Sequence, residues 1–185
     1  MTTYEHSDLL GQIGYDIVKQ WDGSCFVYQV IRQGDLFVAK LDNPDIDSIT
    51  GVQIDNENMI LEICEDMDHL SKVIGYHKSI GDDQESVLVK NYIDGITLED
   101  GGLIVGKKNR QILEDLFKEL HRREIYRLDF FESNIVIDKL GIPHDIDLGY
   151  AKWGIFFESQ SDIDDAISSD EDELRRLFMH YYVSN

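Results

Sequence analysis

The sequence is short of positive charge, of proline and of cysteine, and it has no long hydrophobic run. Only 17 of its 185 residues are Lys or Arg, against 37 Asp or Glu, for a formal net charge of −20. A nucleic-acid backbone is held by clustered Lys and Arg, so this balance argues against nucleic acid as a partner. Cys25 and Cys64 are the two cysteines, too few for a disulfide framework or a thiolate zinc site; both are expected to be reduced and structural. The six histidines show no metal-ligand spacing, and there is no H-E-x-x-H motif. Pro44 and Pro143 are the only prolines and the glycines are scattered, so no segment reads as a flexible linker or low-complexity tract. No apolar stretch approaches the roughly 20 residues of a membrane span, and no membrane contact is expected. Residues 1–10 are polar and acidic rather than a charged-then-apolar signal. The expected compartment is the cytoplasm, or a host cell into which the protein is secreted without a cleavable signal.

The composition, 42% hydrophobic and 29% charged, is that of an ordinary globular protein, and the length suits one domain or two small lobes. Residues 17–20, 26–32 and 36–41, with a turn at Gln33-Gly34-Asp35, read as a three-stranded meander. The acidic stretch 42–68 follows, and within it Ile60, Leu61 and Cys64 space apolar groups as one helix face, placing a helix near 53–67. Strands at 70–77 and 86–91 flank the polar turn Gly81-Asp82-Asp83-Gln84 and complete a five-stranded sheet with one helix. Tyr92-Ile93-Asp94-Gly95 reads as a crossover. Ile112, Leu113, Leu116, Phe117 and Leu120 give a long amphipathic helix over 106–123. Short strands at 135–137 and 144–146 flank the turn Lys139-Leu140-Gly141, and a terminal helix covers 172–182. The stretch 158–173 holds eight acids and no base and reads as a loop running into that helix. It is either a solvated face or an electrostatic surface for a basic partner. An α+β fold with a mostly helical second lobe is the expectation.

Three separated signals occur in one order. Phe37-Val38-Ala39-Lys40 ends an apolar strand on a lysine; alone, that is a solvated strand end. Glu57 lies on the following helix in Glu57-Asn58-Met59-Ile60-Leu61; alone, it is an acid facing water. The third is more specific: Asp129, four residues, Asn134, then the apolar Ile135-Val136-Ile137, with Ile146-Asp147-Leu148-Gly149 thirteen residues after Asn134. The ordered set resembles the protein-kinase superfamily, over roughly residues 15–150. The short C-terminal part makes it similar to minimal, atypical members: the RIO-like and tRNA-modification-associated kinases and the compact kinases injected by bacterial pathogens.

The resemblance implies a bilobal protein-kinase-like fold. Residues 1–91 would form an N-lobe with an ATP-binding five-stranded antiparallel sheet and one helix. Residues 92–185 would form a truncated C-lobe with the catalytic loop, Asp-Leu-Gly and the terminal helix. It also implies ATP and Mg²⁺ as cofactors. Lys40 would hold the nucleotide phosphates and Glu57, or alternatively Glu62, would pair with Lys40; Asp129 would orient the attacking hydroxyl; Asn134 and Asp147 would hold the metal. Gly23 would cover the phosphates, Val27, Ala39 and Ile137 would sandwich the adenine, and the backbone around Val89 and Asn91 would meet its edge. The chain departs from the family in keeping one glycine of three in Gln20–Tyr28, reading Arg127-Leu128-Asp129, carrying Phe131 where many members have lysine, and leaving 36 residues after Gly149. Regulation by loop phosphorylation is not expected. The implied activity is transfer of the γ-phosphate to Ser or Thr of a protein. The alternatives are a pseudokinase or nucleotide-gated protein-binding module, and an ATPase component of a larger assembly.

Overall fold

β-branched and aromatic residues build the expected meander, and a two-residue turn closes its second hairpin. Gln33 (φ 55°) and Gly34 (φ 95°) both adopt left-handed backbone between the paired Arg32 and Asp35, the twist a tight hairpin requires. A computed structural model describes residues 3–21, 25–41, 50–80 and 85–184. The expected turn at 81–84, Gly23 and the first part of the acidic stretch, 42–49, lie outside the described residues. The chain divides into two units, Met1–Met59 with Lys72–Tyr92, and Ile60–Ser71 with Ile93–Asn185.

The first unit contains α1 (Thr3–Gln12), β1 (Asp16–Trp21), β2 (Phe26–Arg32), β3 (Asp35–Leu41), most of α2 (Thr50–Ile63), β4 (Val73–Ile80) and β5 (Glu85–Asn91). Its strands form one antiparallel sheet in the order β1-β2-β3-β5-β4. Side chains alternate between faces along a strand, and here both faces are covered. Tyr28, Val30, Ala39, Leu41, Val87 and Val89 pack with Leu9 and Leu10 of α1, whereas Leu88 and Cys25 pack with Ile54 of α2, flanked by Val27, Val73 and Tyr76. Burial on both sides is why β3 and β5 read as nearly continuous apolar runs.

One helix was expected in this unit, and α1 is a second. Among its described side chains Leu9, Leu10 and His6 are buried, a stripe with a polar member that does not stand out in a polar segment. His6 Nδ1 lies 2.6 Å from the Tyr28 hydroxyl, a buried hydrogen bond that ties α1 to the sheet. α2 covers 50–63 rather than 53–67. The chain then leaves the helix through turn bonds from the Cys64 and Met67 amides to the Ile60 and Cys64 carbonyls.

The second unit adds β6 (Gly95–Thr97), β7 (Ile104–Val105), α3 (Gly106–Arg122), β8 (Ile125–Tyr126), β9 (Ile135–Asp138), β10 (Pro143–Asp145), β11 (Lys152–Trp153), α4 (Gln160–Tyr181) and β12 (Tyr182–Val183). Rather than mostly helical, it has two long helices and three small sheets, ordered β10-β9-β6, β11-β8 and β12-β7. Gly95 permits the close approach in the first of these, because a Cβ there would collide with the Ile137 carbonyl. Leu113, Leu116, Phe117 and Leu120 form the buried stripe of α3, as their spacing predicts.

α4 corrects the largest misreading. The acidic stretch 158–173 is helical almost throughout, not a loop, and Asp170, Glu171 and Asp172 lie mid-helix rather than at its start. The helix begins at Ser159, whose hydroxyl accepts the Asp162 N–H, an S-x-x-D cap. Its buried stripe is Ala166, Asp170, Leu174 and Leu177. A carboxylate at a core position hides the helical period from a search for apolar residues. Among the described residues no helix is long and apolar enough to cross a membrane.

Leu10 is fully buried against the sheet. Leu10→Ala is expected to lower stability by about 3 kcal/mol, read from the urea midpoint at constant slope; a loss within about 0.5 kcal/mol would mean α1 is not part of the folded unit.

Candidate active site

In the first unit three charged side chains converge inside the face covered by α2. Lys40 near the end of β3 is 6% exposed, Lys90 in β5 is 2% exposed, and Glu57 is 1% exposed. The Lys40 ammonium donates to Glu57 Oε2 at 2.8 Å, and the Lys90 ammonium to Oε1 of the same carboxylate. Glu57 therefore lies within the buried stripe of α2, with Ile54, Asn58 and Leu61 at helical spacing around it. Glu62 is exposed, which decides between the two acids expected to meet Lys40.

The residues expected to meet a nucleotide do not all share this face. Val27 pairs directly across from Lys40, and Lys40 from Leu88, so these three point the same way. Ala39 and Val89 point the other way, into the core with Leu9, Leu10 and Tyr28. Val89 is also flanked by strands on both sides, pairing with Ala39 and Gly75. Asn91 is engaged with Lys72: its N–H donates to the Lys72 carbonyl at 2.9 Å and its Oδ1 accepts the Lys72 N–H. Ala39 therefore stands on the face opposite Lys40, away from the place expected of it beside Val27. The period-2 rule assigns Val38, two residues before Lys40, to the lysine's face; it pairs with Lys90.

In the second unit the segment 127–134 is a loop held in an unusual shape. Arg127 and Asp129 both adopt φ 56°, a left-handed conformation that costs a non-glycine residue on the order of 1–2 kcal/mol. Leu128 and Phe130 between and beside them are fully buried, with the Phe130 ring stacked on Phe117 of α3 at 6.1 Å. Alternating anchors thus set Asp129 on the other side of the loop. Two acids one helical turn apart on α4 accept the loop's amides. Asp170, 1% exposed, takes the Arg127 and Leu128 N–H groups at 2.9 Å each, and Glu173 takes the Phe130 N–H at 3.1 Å. His121 Nε2 of α3 lies 2.9 Å from the same Asp170 carboxylate. The loop's strained backbone is stabilised by charge-assisted bonds from one helix.

Asn134 closes the loop. Its amide nitrogen donates to the Asp129 carbonyl at 2.9 Å and to Asp129 Oδ2 at 3.0 Å. Its own carbonyl accepts the Ile146 N–H at 2.9 Å, which places the Asp147 segment beside it. Asp147 donates its N–H to Asp145 Oδ1 at 3.1 Å and accepts the Gly149 N–H at 2.9 Å. Asp129, Asn134 and Asp147 are thus tied to one loop system, while Ile137 sits half-buried in β9 between Ile96 and Pro143. Phe131 is 40% exposed, and the Arg176 guanidinium of α4 lies 5.1 Å from its ring centroid.

Compared with models of known protein families and with curated proteins, the sequence matches none. Lys90, Asp170 and Glu173 are the residues that sequence reasoning missed. The signal for Lys90 was a lysine inside the apolar run Val87-Leu88-Val89-Lys90; for the two acids it was their i, i+3 spacing on the α4 stripe.

Two outcomes test this loop. Removing the Asp170 carboxylate strands two backbone donors, and each costs roughly 1–3 kcal/mol when buried. Asp170→Ala is therefore expected to destabilise by about 3 kcal/mol in urea unfolding, and a loss below about 1 kcal/mol would contradict the clamp. Burial pushes the Glu173 carboxyl above the usual range, the Asp170 charge adds to this, the Phe130 N–H opposes it, and the Asp129 charge raises it again. The folded state therefore holds that proton to higher pH than the unfolded chain, and stability falls as pH rises through the window. Glu173→Gln keeps an acceptor for Phe130 and removes this loss, so its stability relative to wild type should grow between about pH 4 and pH 7. A difference constant over that range would refute the assignment.

Proposed function

We propose that the chain is an ATP- and magnesium-dependent phosphotransferase of the protein-kinase type, with a Ser or Thr hydroxyl of a protein as acceptor. The observation that carries this reading is the buried Lys40–Glu57 ion pair at 2.8 Å. Apolar side chains of similar volume would stabilise such a site as well or better, so a buried, oriented ammonium calls for a chemical reason. Holding nucleotide phosphates is such a reason, because phosphoryl transfer depends on positioning and charge neutralisation.

In this reading Lys40 binds the phosphates and Glu57 orients it. Asp129, fixed between two buried anchors and hydrogen-bonded by Asn134, orients the acceptor hydroxyl and takes its proton. The Asn134 amide oxygen and the Asp147 carboxylate are the residues that would hold magnesium, and their hard oxygen donors fit it. Among the described residues no group of three or more His, Cys, Asp or Glu forms a metal cage. Magnesium needs none, since it keeps waters and phosphate oxygens in its shell. When bound, the ion neutralises charge on the phosphates. The exposed acids Asp164, Asp165, Glu171 and Asp172 support a basic protein as partner.

Phe131 favours a second reading. An exposed ring two residues from Asp129, covered by Arg176, suits a module that binds nucleotide and grips a protein without transferring phosphate.

Transfer of labelled γ-phosphate from Mg·ATP, to the chain itself and to a generic basic protein, separates the two. Wild type is expected to transfer, with Asp129→Ala slowed at least about 100-fold and Lys40→Met and Asp147→Ala inactive. Binding of Mg·ATP without transfer would establish the second reading, and wild-type rates in Asp129→Ala would overturn the first.

A further inference from the structure

Lys90 has no part in the roles assigned above, yet it is more deeply buried than Lys40 and its ammonium meets the same carboxylate. The ladder explains how. Val38 pairs with Lys90 and Lys40 with Leu88, so the two lysines stand diagonally on adjacent strands and on one face of the sheet. Glu57 enters between them from α2, giving Oε2 to Lys40 and Oε1 to Lys90.

A carboxylate held at one oxygen can still turn about its last torsion, which is broad and roughly two-fold. Held at both oxygens by donors on two strands, it has one orientation. Sharing also divides its charge. With both lysines present, the carboxylate is not spent on Lys40 alone, and the Lys40 ammonium keeps more of its attraction for an anion. Loss of Lys90 therefore acts on Lys40 twice, by loosening Glu57 and by leaving its whole charge to Lys40. Val87, Leu88 and Val89, the three residues before Lys90, are fully buried and apolar. A lysine in that run has to bring its charge to a specific partner, and Glu57 is that partner.

We propose that Lys90 is a positioning residue, which fixes Glu57 so that the Lys40 ammonium is held in one place for an anionic ligand. This rests on the phosphotransferase reading only in naming that ligand as nucleotide phosphates. Two readouts separate the claims. The first needs no nucleotide: in lysine-¹⁵N-labelled protein, the Lys40 side-chain nitrogen gives its own resonance, and its protons exchange slowly while buried and bonded. Lys90→Met is expected to shift that resonance and speed exchange at least threefold, and Lys90→Arg, which restores a donor to Oε1, to return both toward wild type. The second is the dissociation constant of Mg·ATP, expected to rise about tenfold in Lys90→Met and to recover in Lys90→Arg.

An unmoved Lys40 resonance in Lys90→Met overturns the positioning role, whatever the nucleotide data show. A moved resonance in a protein whose wild type binds no Mg·ATP upholds the role of Lys90 on Lys40 and removes the phosphotransferase reading. Should Lys90→Met not fold, Lys90→Leu, which likewise removes the donor to Oε1, takes its place, with the same two outcomes.

Discussion

A charged group withdrawn from water has to be met by opposite charge or by hydrogen-bond donors, and that requirement fixes the arrangement of each unit. In the first, the Glu57 carboxylate is received by lysines from β3 and β5, so the register of both strands and the rotation of α2 are set together. A one-residue slip of β3 would send Lys40 into the α1 core and Ala39 toward Glu57. In the second, the Asp170 carboxylate is received by two backbone amides and a histidine, which sets α4, α3 and the loop 127–134 relative to one another. The lysine–glutamate cluster is not there chiefly for stability, because apolar replacements serve that end as well; the Asp170 cluster also satisfies backbone donors that an apolar side chain would strand. What they provide is a single orientation for side chains that would otherwise sample many.

The strongly acidic composition takes on a different meaning in this light. Sequence reading treats the run 158–173 as a solvated face or a docking surface. The structure divides it by helical position. Asp170 and Glu173 face inward and hold the loop that carries Asp129, while Asp164, Asp165, Glu171 and Asp172 remain exposed. The inward acids explain how a short chain keeps two left-handed non-glycine residues in one loop. The amides of Arg127, Leu128 and Phe130 are bonded by carboxylates, so the backbone strain at Arg127 and Asp129 is offset within the same loop.

Much of the fold is legible in the sequence where one physical signal dominates. β-branched and aromatic residues mark β2 and β3, the Gln33-Gly34 pair marks their turn, and a full apolar stripe marks α3. The failures have a common cause. α1 buries a histidine beside two leucines and α4 buries an aspartate in its stripe, so each has a polar residue where the pattern expects an apolar one; β5 also buries a lysine, although the strand itself was legible. Such polar positions are where the candidate site is built. Family resemblance brings out Lys40, Glu57, Asp129, Asn134 and Asp147 by type and order. It carries over less well to the adenine contacts: Phe37-Val38-Ala39-Lys40 puts alanine immediately before the lysine, and strand alternation then turns it to the opposite face. The resemblance gives Lys90 no role of its own, and only its contact with Glu57 reveals one.

On the proposed function, the second unit's loop system receives a metal nucleotide. Manganese, which replaces magnesium and broadens the NMR signals of nearby nuclei, tests it most directly. With Mn·ATP added to ¹⁵N-labelled protein, the expected result is early broadening of the Asn134, Asp147 and Gly149 amides, weakened in Asp147→Asn and unaffected by ATP without metal. Broadening confined to the exposed acids of α4, or none at these three amides, would contradict it.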